Sequence, residues 1–284
     1  MKEKVLISFS GGKTSGKMTH DLLNNRYEDY EMIVCFSNTG KEREETLEFV
    51  RDCDKFLGFN TVWVESVVHH GKRKSSGHKV VTFETASRNG EPYEEMIKKY
   101  GIPNVDFPHC TRELKTNPIH SYIKSVWGSS PYKTAIGIRA DEVDRIRQGD
   151  FIYPLIKPGI TKKDVEDFWN SMFFTLQLKP YEGNCNKCFK KTLAKLIQIQ
   201  RDERSGKVAQ DNWWNEIEKK YENYIPPSQH AGRKAPIRFN RQHMSFEFID
   251  ELSKLSDEDI KAVMAKKEID LNLPNGCSES CEAF

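Results

Sequence analysis

Near the start of the chain the apolar run Val5-Leu6-Ile7-Ser8-Phe9 passes directly into Ser10-Gly11-Gly12-Lys13-Thr14-Ser15, and a helix-compatible stretch follows from Lys17 to Asn24. Strand, glycine-rich turn and helix in this order form a cradle in which backbone amides meet phosphate oxygens. Gly11 and Gly12 let those amides approach, Ser10 and Ser15 add hydroxyl donors, Lys13 adds charge, and the helix N-terminus adds its positive dipole end. The segment Ser10 to Ser15, Thr14 included, therefore reads as a pyrophosphate site. A Walker loop needs four residues between its first glycine and Gly-Lys-Ser/Thr, and a dinucleotide fingerprint needs Gly-x-Gly-x-x-Gly; neither spacing is present.

Further strands follow in alternation with helices. Glu31 to Phe36 is apolar, Ser37-Asn38-Thr39-Gly40 closes it, and a helical stretch runs from Glu42 to about Leu57 with Glu45 and Thr46 on its first turns. Thr61 to Glu65 makes a third strand and Tyr132 to Ile138 a fourth. This pattern predicts an α/β fold with a parallel sheet whose ligands sit at its carboxyl edge. The fourth strand delivers Gly137 and Arg139, with Arg145 and Arg147 further on. Arginine's planar fork binds phosphate or sulfate in two places at once. The plainer reading, a solvated start of a charged helix, applies more to Arg145 and Arg147 than to Arg139. Thr161, with Asp164 and Glu166 beyond it, reads as a helix cap.

These ordered motifs carry a resemblance. The Ser-Gly-Gly-x-x-Ser loop, Asn38-Thr39-Gly40 followed by Glu45-Thr46, the Gly137-x-Arg139 segment, and Pro154-Leu155 with Thr161, Asp164-Val165 and Phe168-Trp169 are together similar to phosphoadenosine phosphosulfate (PAPS) reductase-like proteins. Those belong to the ATP pyrophosphatase, or adenine nucleotide alpha-hydrolase, superfamily, and the likeness spans roughly residues 4 to 190. It implies a Rossmann-like core and cleavage of ATP, with magnesium, between the α and β phosphates. Adenine is then expected against the backbone after the second strand, near Phe36 and Ser37, with Gly40 and Gly137 in the binding set, phosphates in the Ser10 to Ser15 loop, and Lys13 and Arg139 stabilising developing charge. Two departures matter. Asn38 stands where the family has an acidic residue, and the tail around Cys277 and Cys281 has neither the Glu-Cys-Gly-x-His segment of the reductases nor a Cys-Cys pair. Sulfonucleotide reduction is thus the second choice, after adenylation of a substrate coupled to sulfur transfer.

Seven cysteines in a chain with no apparent signal peptide or membrane span point to a reducing cytoplasm, where grouped cysteines bind metal or do redox chemistry. Cys185-Asn186-Lys187-Cys188 is a Cys-x-x-Cys after a turn-rich approach, and Cys110 precedes a predicted helix whose dipole would favour its thiolate. These three resemble the set that holds a four-iron [4Fe-4S] cluster in some ATP pyrophosphatase sulfur-transfer enzymes; zinc, or uncoordinated thiols, are the other readings. Cys277 or Cys281 is a candidate fourth ligand, and Cys35 and Cys53 read as packing residues. A sulfur donor protein or sulfide is the implied partner.

Residues 1–190 read as the nucleotide domain and 191–284 as a helical C-terminal extension, with helices expected from Phe189 to Arg204, from Asn212, and as a pair between Ser245 and Lys267. Residues 67–92, with His69, His70 and His78, read as a polar solvated loop, or a lid or nucleic-acid contact; Arg233, Lys234, Arg238 and Arg241 around Phe239 form a second basic stretch. The net charge is only +2, so composition does not require a nucleic-acid partner, although tRNA or DNA suits the basic loops and a small metabolite is the alternative. A non-catalytic nucleotide-binding module with structural zinc and a plain amide-forming ligase are the remaining alternatives. Oligomers are possible.

Overall fold

Val5, Leu6 and Ile7 are fully buried because their strand, β1 (Glu3–Ser8), runs through the middle of a sheet covered on both faces. The computed structural model describes residues 2–272 apart from 27, 72, 228–231, 241–243 and 268. Within them a six-stranded sheet has the order β4-β3-β2-β1-β5-β6, with β2 at Tyr30–Asn38, β3 at Val62–Val67, β4 at Gly77–Val81, β5 at Lys133–Ala135 and β6 at Phe151–Ile152. All pairings are parallel except that of β3 with β4. The chain leaves β1 towards β2 and β3 on one side and returns to β5 on the other. The carboxyl end of β1 is therefore a topological switch point, the place where such sheets bind ligands.

Alternation along the strands sorts the two faces. Val5 and Ile7 of β1 and Val34 and Phe36 of β2 pack with α1 (Lys13–Asn25), α2 (Glu44–Leu57) and α5 (Lys162–Ser171). Leu6, Cys35 and Val64 face the other way, onto Ile119, Ile123 and Trp127 of α4 (Asn117–Trp127). Cys35 and Cys53 are packing residues, and burial pushes both thiols well up.

Part of the segment read as a solvated loop is a strand. β4 pairs antiparallel with β3 from Gly77 opposite Val67 to Val81 opposite Trp63. Its exposed Lys79 and Val80 hide it from a hydrophobicity pattern, as is usual for an edge strand that faces water on one side.

The predicted helices after residue 190 are present as α6 (Leu193–Arg204), α7 (Trp213–Tyr221), α8 (Phe246–Ser253) and α9 (Asp257–Lys266); Ser245 and Ser256 cap the last two by accepting the N–H of Phe248 and Asp259. They bury a second cluster, around Trp214, Phe239 and Phe246, against Tyr93, Met96 and Ile97 of α3 (Glu91–Tyr100).

Inside this cluster Glu218 accepts the backbone N–H groups of Phe246 (2.8 Å) and Phe239 (3.1 Å). Burial pushes its carboxyl up to about 7, against those two bonds and the Arg238 charge, with Glu247 adding to the rise. A carboxyl whose folded pKa is raised stabilises the fold below its unfolded value and loses that contribution as pH rises through the folded value. The melting temperature should fall between pH 5 and pH 8, by the equivalent of on the order of 2–3 kcal/mol at most, and Glu218→Gln should flatten this dependence. Parallel pH profiles of the two proteins would count against this role for Glu218.

Candidate functional site

The Ser10 to Ser15 loop closes on itself. Ser15 Oγ donates to the Gly12 carbonyl (3.0 Å), accepts the Ser10 N–H (3.2 Å) and lies 2.9 Å from Ser10 Oγ. Both hydroxyls thus shape the loop, and Gly12, Lys13 and Thr14 are the members that line a cavity of about 340 Å³ beside it. Gly11 has φ +77 and sits against Thr46, Phe36 and Val50, so only glycine fits there. Across the switch point Gly137 brings the end of β5 onto α1: a Cβ at this position would stand 3.0 Å from Ser15 Cα. That close approach puts Arg139 beside Thr14, with Nη1 to Oγ1 at 3.2 Å.

Acidic side chains hold the two cations. Lys13 Nζ contacts Glu166 Oε2 at 2.8 Å, and Arg139 contacts Asp141 at 2.9 Å and Glu142 at 3.4 Å. Burial works against ionised Asp141, but the Arg139 hydrogen bond and charge prevail and hold its carboxyl below the usual range. Glu142, Glu166 and Glu182 line the same cavity as Lys13 and Arg139, while Val165, Leu176 and Leu178 give it an apolar wall. The site can accept a ligand with an anionic end, which would take Lys13 and Arg139 from their carboxylates, and an apolar end. α5 is fixed there by the Thr161–Asp164 capping box expected from the sequence and by the Trp169 indole N–H, which donates to the Lys13 carbonyl at 2.8 Å.

The cysteine loop is tied to this cavity. Asn184 Nδ2 donates to the Ser10 carbonyl at 2.5 Å, and residues 184–186 run antiparallel to 41–43, with Arg43 N to Asn184 O at 2.7 Å and Asn186 N to Lys41 O at 3.2 Å. Cys110 stands just before a π-helical turn, Thr111–Thr116, that leads into α4. That turn is pinned to the sheet's carboxyl edge, because Ser66 Oγ donates to the Glu113 carbonyl and Ser37 Oγ to that of Leu114. Irregular helical turns of this kind recur at functional sites.

The buried Tyr93 hydroxyl feels all three cysteines named from the sequence, and Cys110 and Cys185 pack against the cluster that holds its ring. Tyr93 has its phenol pushed well up by burial first, then by the charges of Cys110, Cys185 and Cys188 and a hydrogen bond with Cys110. Burial likewise pushes the Cys185 thiol up, Cys188 and Glu42 add to this, and Lys191 and Lys115 oppose it. Three soft thiols backed by buried lysines suit an iron-sulfur cluster or zinc in donor chemistry. None of the three is in a disulfide, and among the described residues no three His, Cys, Asp or Glu side chains stand as a ready metal-ligand set. Cys277 and Cys281 lie outside the described residues.

Other candidates fall elsewhere. The Phe36 ring is buried against Trp63, the Ser37 hydroxyl is held by Leu114, and Gly40 N–H donates to Asn38, so none of these side chains lines the cavity. His70 pairs with Glu95 and His78 with Ser121, and among the described residues the histidines belong to no group able to hold a metal. Arg233 is buried on the Phe107 ring (4.1 Å), Phe239 is fully buried and Arg238 pairs with Glu222, which leaves Lys234 as the exposed cation among the described residues of this stretch. Arg241 is outside the described residues. Glu142, Glu166, Glu182 and Asn184 were missed by sequence reasoning. The acid at Glu166 was visible only as part of a helix cap.

Fold and site define an α/β nucleotide-binding protein of the adenine nucleotide alpha-hydrolase type. The chain belongs to the phosphoadenosine phosphosulfate reductase domain family, whose model matches residues 4–148. That membership carries a nucleotide-binding, sulfonucleotide-related function. The chain is 29% identical to an uncharacterized nin region protein of Escherichia phage lambda, over 98% of this chain and 94% of that protein. It is also 27% identical to an uncharacterized protein of Methanocaldococcus jannaschii, over 50% of this chain and 24% of the other. No helix among the described residues is long and apolar enough to cross a membrane.

Proposed function

We propose that the chain is a cytoplasmic ATP pyrophosphatase-type enzyme that adenylates its substrate and couples this to sulfur transfer. The observation that carries this reading is the single cavity shared by Lys13, Thr14, Gly137 and Arg139, with the cysteine loop bonded to its rim through Asn184. ATP, with Mg2+, places its phosphates against Gly12, Lys13 and Thr14. A substrate oxygen attacks the α-phosphorus, the bond to the bridging oxygen between the α and β phosphates breaks, and that oxygen leaves with pyrophosphate. Lys13 and Arg139 exchange their carboxylate partners for phosphate oxygens and stabilise the charge that develops. The apolar wall at Val165, Leu176 and Leu178 excludes water from the reacting phosphate.

Cys110, Cys185 and Cys188 would hold an iron-sulfur cluster, with zinc as the alternative; such a cluster supplies an iron position able to carry sulfide. The support for this is that Cys185 and Cys188 follow directly on Gly183 and Asn184, which line the cavity: a sulfur nucleophile there would attack the substrate carbon bearing the adenylated oxygen, forming the C–S bond as the C–O bond breaks and AMP leaves. The sulfur source is a donor protein or sulfide. The acceptor is a nucleic acid, tRNA or DNA, engaged by the exposed Arg73 and Lys74, or else a small metabolite.

Pyrophosphate release from ATP tests the reading, and Lys13→Ala should reduce it about 100-fold, the usual loss when a charge-stabilising donor is removed. An unchanged rate would remove Lys13 from the mechanism. The family match over residues 4–148 favours a second reading, sulfonucleotide reduction, for which Cys277 or Cys281 would have to serve as nucleophile. Sulfite release that is abolished when both are changed to serine would establish it over adenylation.

A further inference from the structure

Where residues 41–43 meet 184–186, several polar atoms are buried without a hydrogen-bond partner: Nε and Nη2 of Arg43, Thr46 Oγ1, Asn184 Oδ1, Asn186 Oδ1 and Glu42 Oε2. Groups of this kind are rare in folded proteins, and several along one seam point to something that binds there. The Arg43 side chain is only 7% exposed, and its ion pair with Glu182 is long, 3.4 Å, and made through Nη1. Nη1 is the wrong edge to explain the residue. Nε and Nη2 form the side of the guanidinium that grips two oxygens of a phosphate or sulfate in parallel, and that side is the unanswered one.

The neighbouring cations are answered. Lys41 pairs with Asp211, Lys115 with Glu42, Lys187 with Glu203, and Lys191 donates to the Cys185 carbonyl. All four are buried and already answered, which leaves the Nε and Nη2 edge of Arg43 as the unanswered cationic donor of the seam. It also adjoins both halves of the site. Glu182 and Asn184 line the nucleotide cavity, and Thr46 packs so closely on Gly11 that a Cβ there would meet its methyl at 2.7 Å.

We infer that this seam is a second anion site, in which Arg43 Nε and Nη2 and the Thr46 hydroxyl bind a tetrahedral oxyanion between the Ser10 to Ser15 loop and the cysteines. The amide oxygens of Asn184 and Asn186 and the carboxylate Oε2 of Glu42 are acceptors; they cannot bind the anion directly and take water carried with it. The oxyanion is either a phosphate of the nucleotide, which rests on the proposed ATP reading, or a free sulfur oxyanion bound as such, which does not.

Calorimetric titration of the full chain with ATP, pyrophosphate and thiosulfate, for wild type, Arg43→Lys and Arg43→Gln, separates these sources. Thermal melts show which variants are folded, and wild-type crystals soaked in selenate locate the anion by its anomalous signal whether or not the variants fold. The expected results are a selenate peak within hydrogen-bond distance of Arg43 and at least tenfold weaker binding in Arg43→Gln. Arg43→Lys should be intermediate, because it keeps the charge and loses the fork. Loss confined to ATP and pyrophosphate assigns a nucleotide phosphate; loss confined to thiosulfate assigns the sulfur oxyanion. Affinities unchanged within twofold in Arg43→Gln, or selenate only at Lys13 and Arg139 with water at Arg43, would overturn the inference. Selenate at Arg43 in a protein that binds no ATP would sink the nucleotide reading and leave this one standing.

Discussion

Trp169→Ala is expected to destabilise the chain by about 4 kcal/mol, a fall in melting temperature of roughly 10 °C, and to weaken nucleotide binding as well. Trp169 is fully buried, and it packs edge-on against Phe49 (4.7 Å between ring centroids) and Phe168 (5.0 Å). It also reaches Gly16 of α1, where a Cβ would stand 2.8 Å from its ring. Truncation leaves a cavity at the junction of α1, α2 and α5 that the surrounding helices fill only in part. The same side chain holds the Lys13 carbonyl, so the phosphate loop loses an anchor along with its packing. Trp169→Phe separates the two effects: most of the ring contact is kept, the N–H is lost, and nucleotide affinity should fall more than stability does. A melting temperature for the alanine variant within 2 °C of wild type would refute the packing argument.

The contrast between Trp169 and Glu166 shows what this sequence makes legible. Strand, phosphate loop and helix at residues 5–24 are contiguous, so their order fixes a local structure that apolar runs and glycine spacing reveal. The parallel order of β1, β2 and β3 follows because each crossover carries a recognisable helix. Cys185 and Cys188 announce themselves by spacing, and Cys110 by its isolated thiol before a helix. Glu166, Glu142 and Asn184 do not, since each becomes part of the site only when chain segments more than a hundred residues from the phosphate loop fold against it. Their residue types are also those of ordinary solvated helix and turn positions. Phe36 and Ser37 differ again. Alternation along β2 sends the Phe36 ring into the core, and Ser37 spends its hydroxyl on anchoring the π-helical turn, so only their backbone is left to face a ligand. Arg43 reads as one more charge in a charged helix start until its burial is known.

Asn38→Asp, which restores the acidic residue of the Asp-Thr-Gly motif in PAPS reductase-like proteins, is expected to cost this chain about 4 kcal/mol at pH 8. Asn38 is fully buried, and its Nδ2 donates to Glu65 Oε1 at 2.7 Å and to the Ser87 carbonyl at 2.8 Å, while its Oδ1 accepts the Gly40 N–H at 3.1 Å. Glu65 is buried too and takes further bonds from Ser87 N and Oγ and from Lys79. An aspartate keeps the contact to Gly40 but sets a second carboxylate against Glu65 and the Ser87 carbonyl. One proton must then be shared between the two acids, which raises the folded pKa of the pair above that of the unfolded chain. Stability contributed by a raised carboxyl is present at low pH and lost as pH climbs through the folded value. The deficit relative to wild type should therefore be small near pH 5 and full at pH 8, as read by urea unfolding of both proteins at the two pH values. Equal deficits at both would mean that the loss of the amide donor, and not charge, sets the cost. A pH-dependent deficit would show why this position carries an amide: its Nδ2 donates to the buried Glu65, which an aspartate would face with a second negative charge.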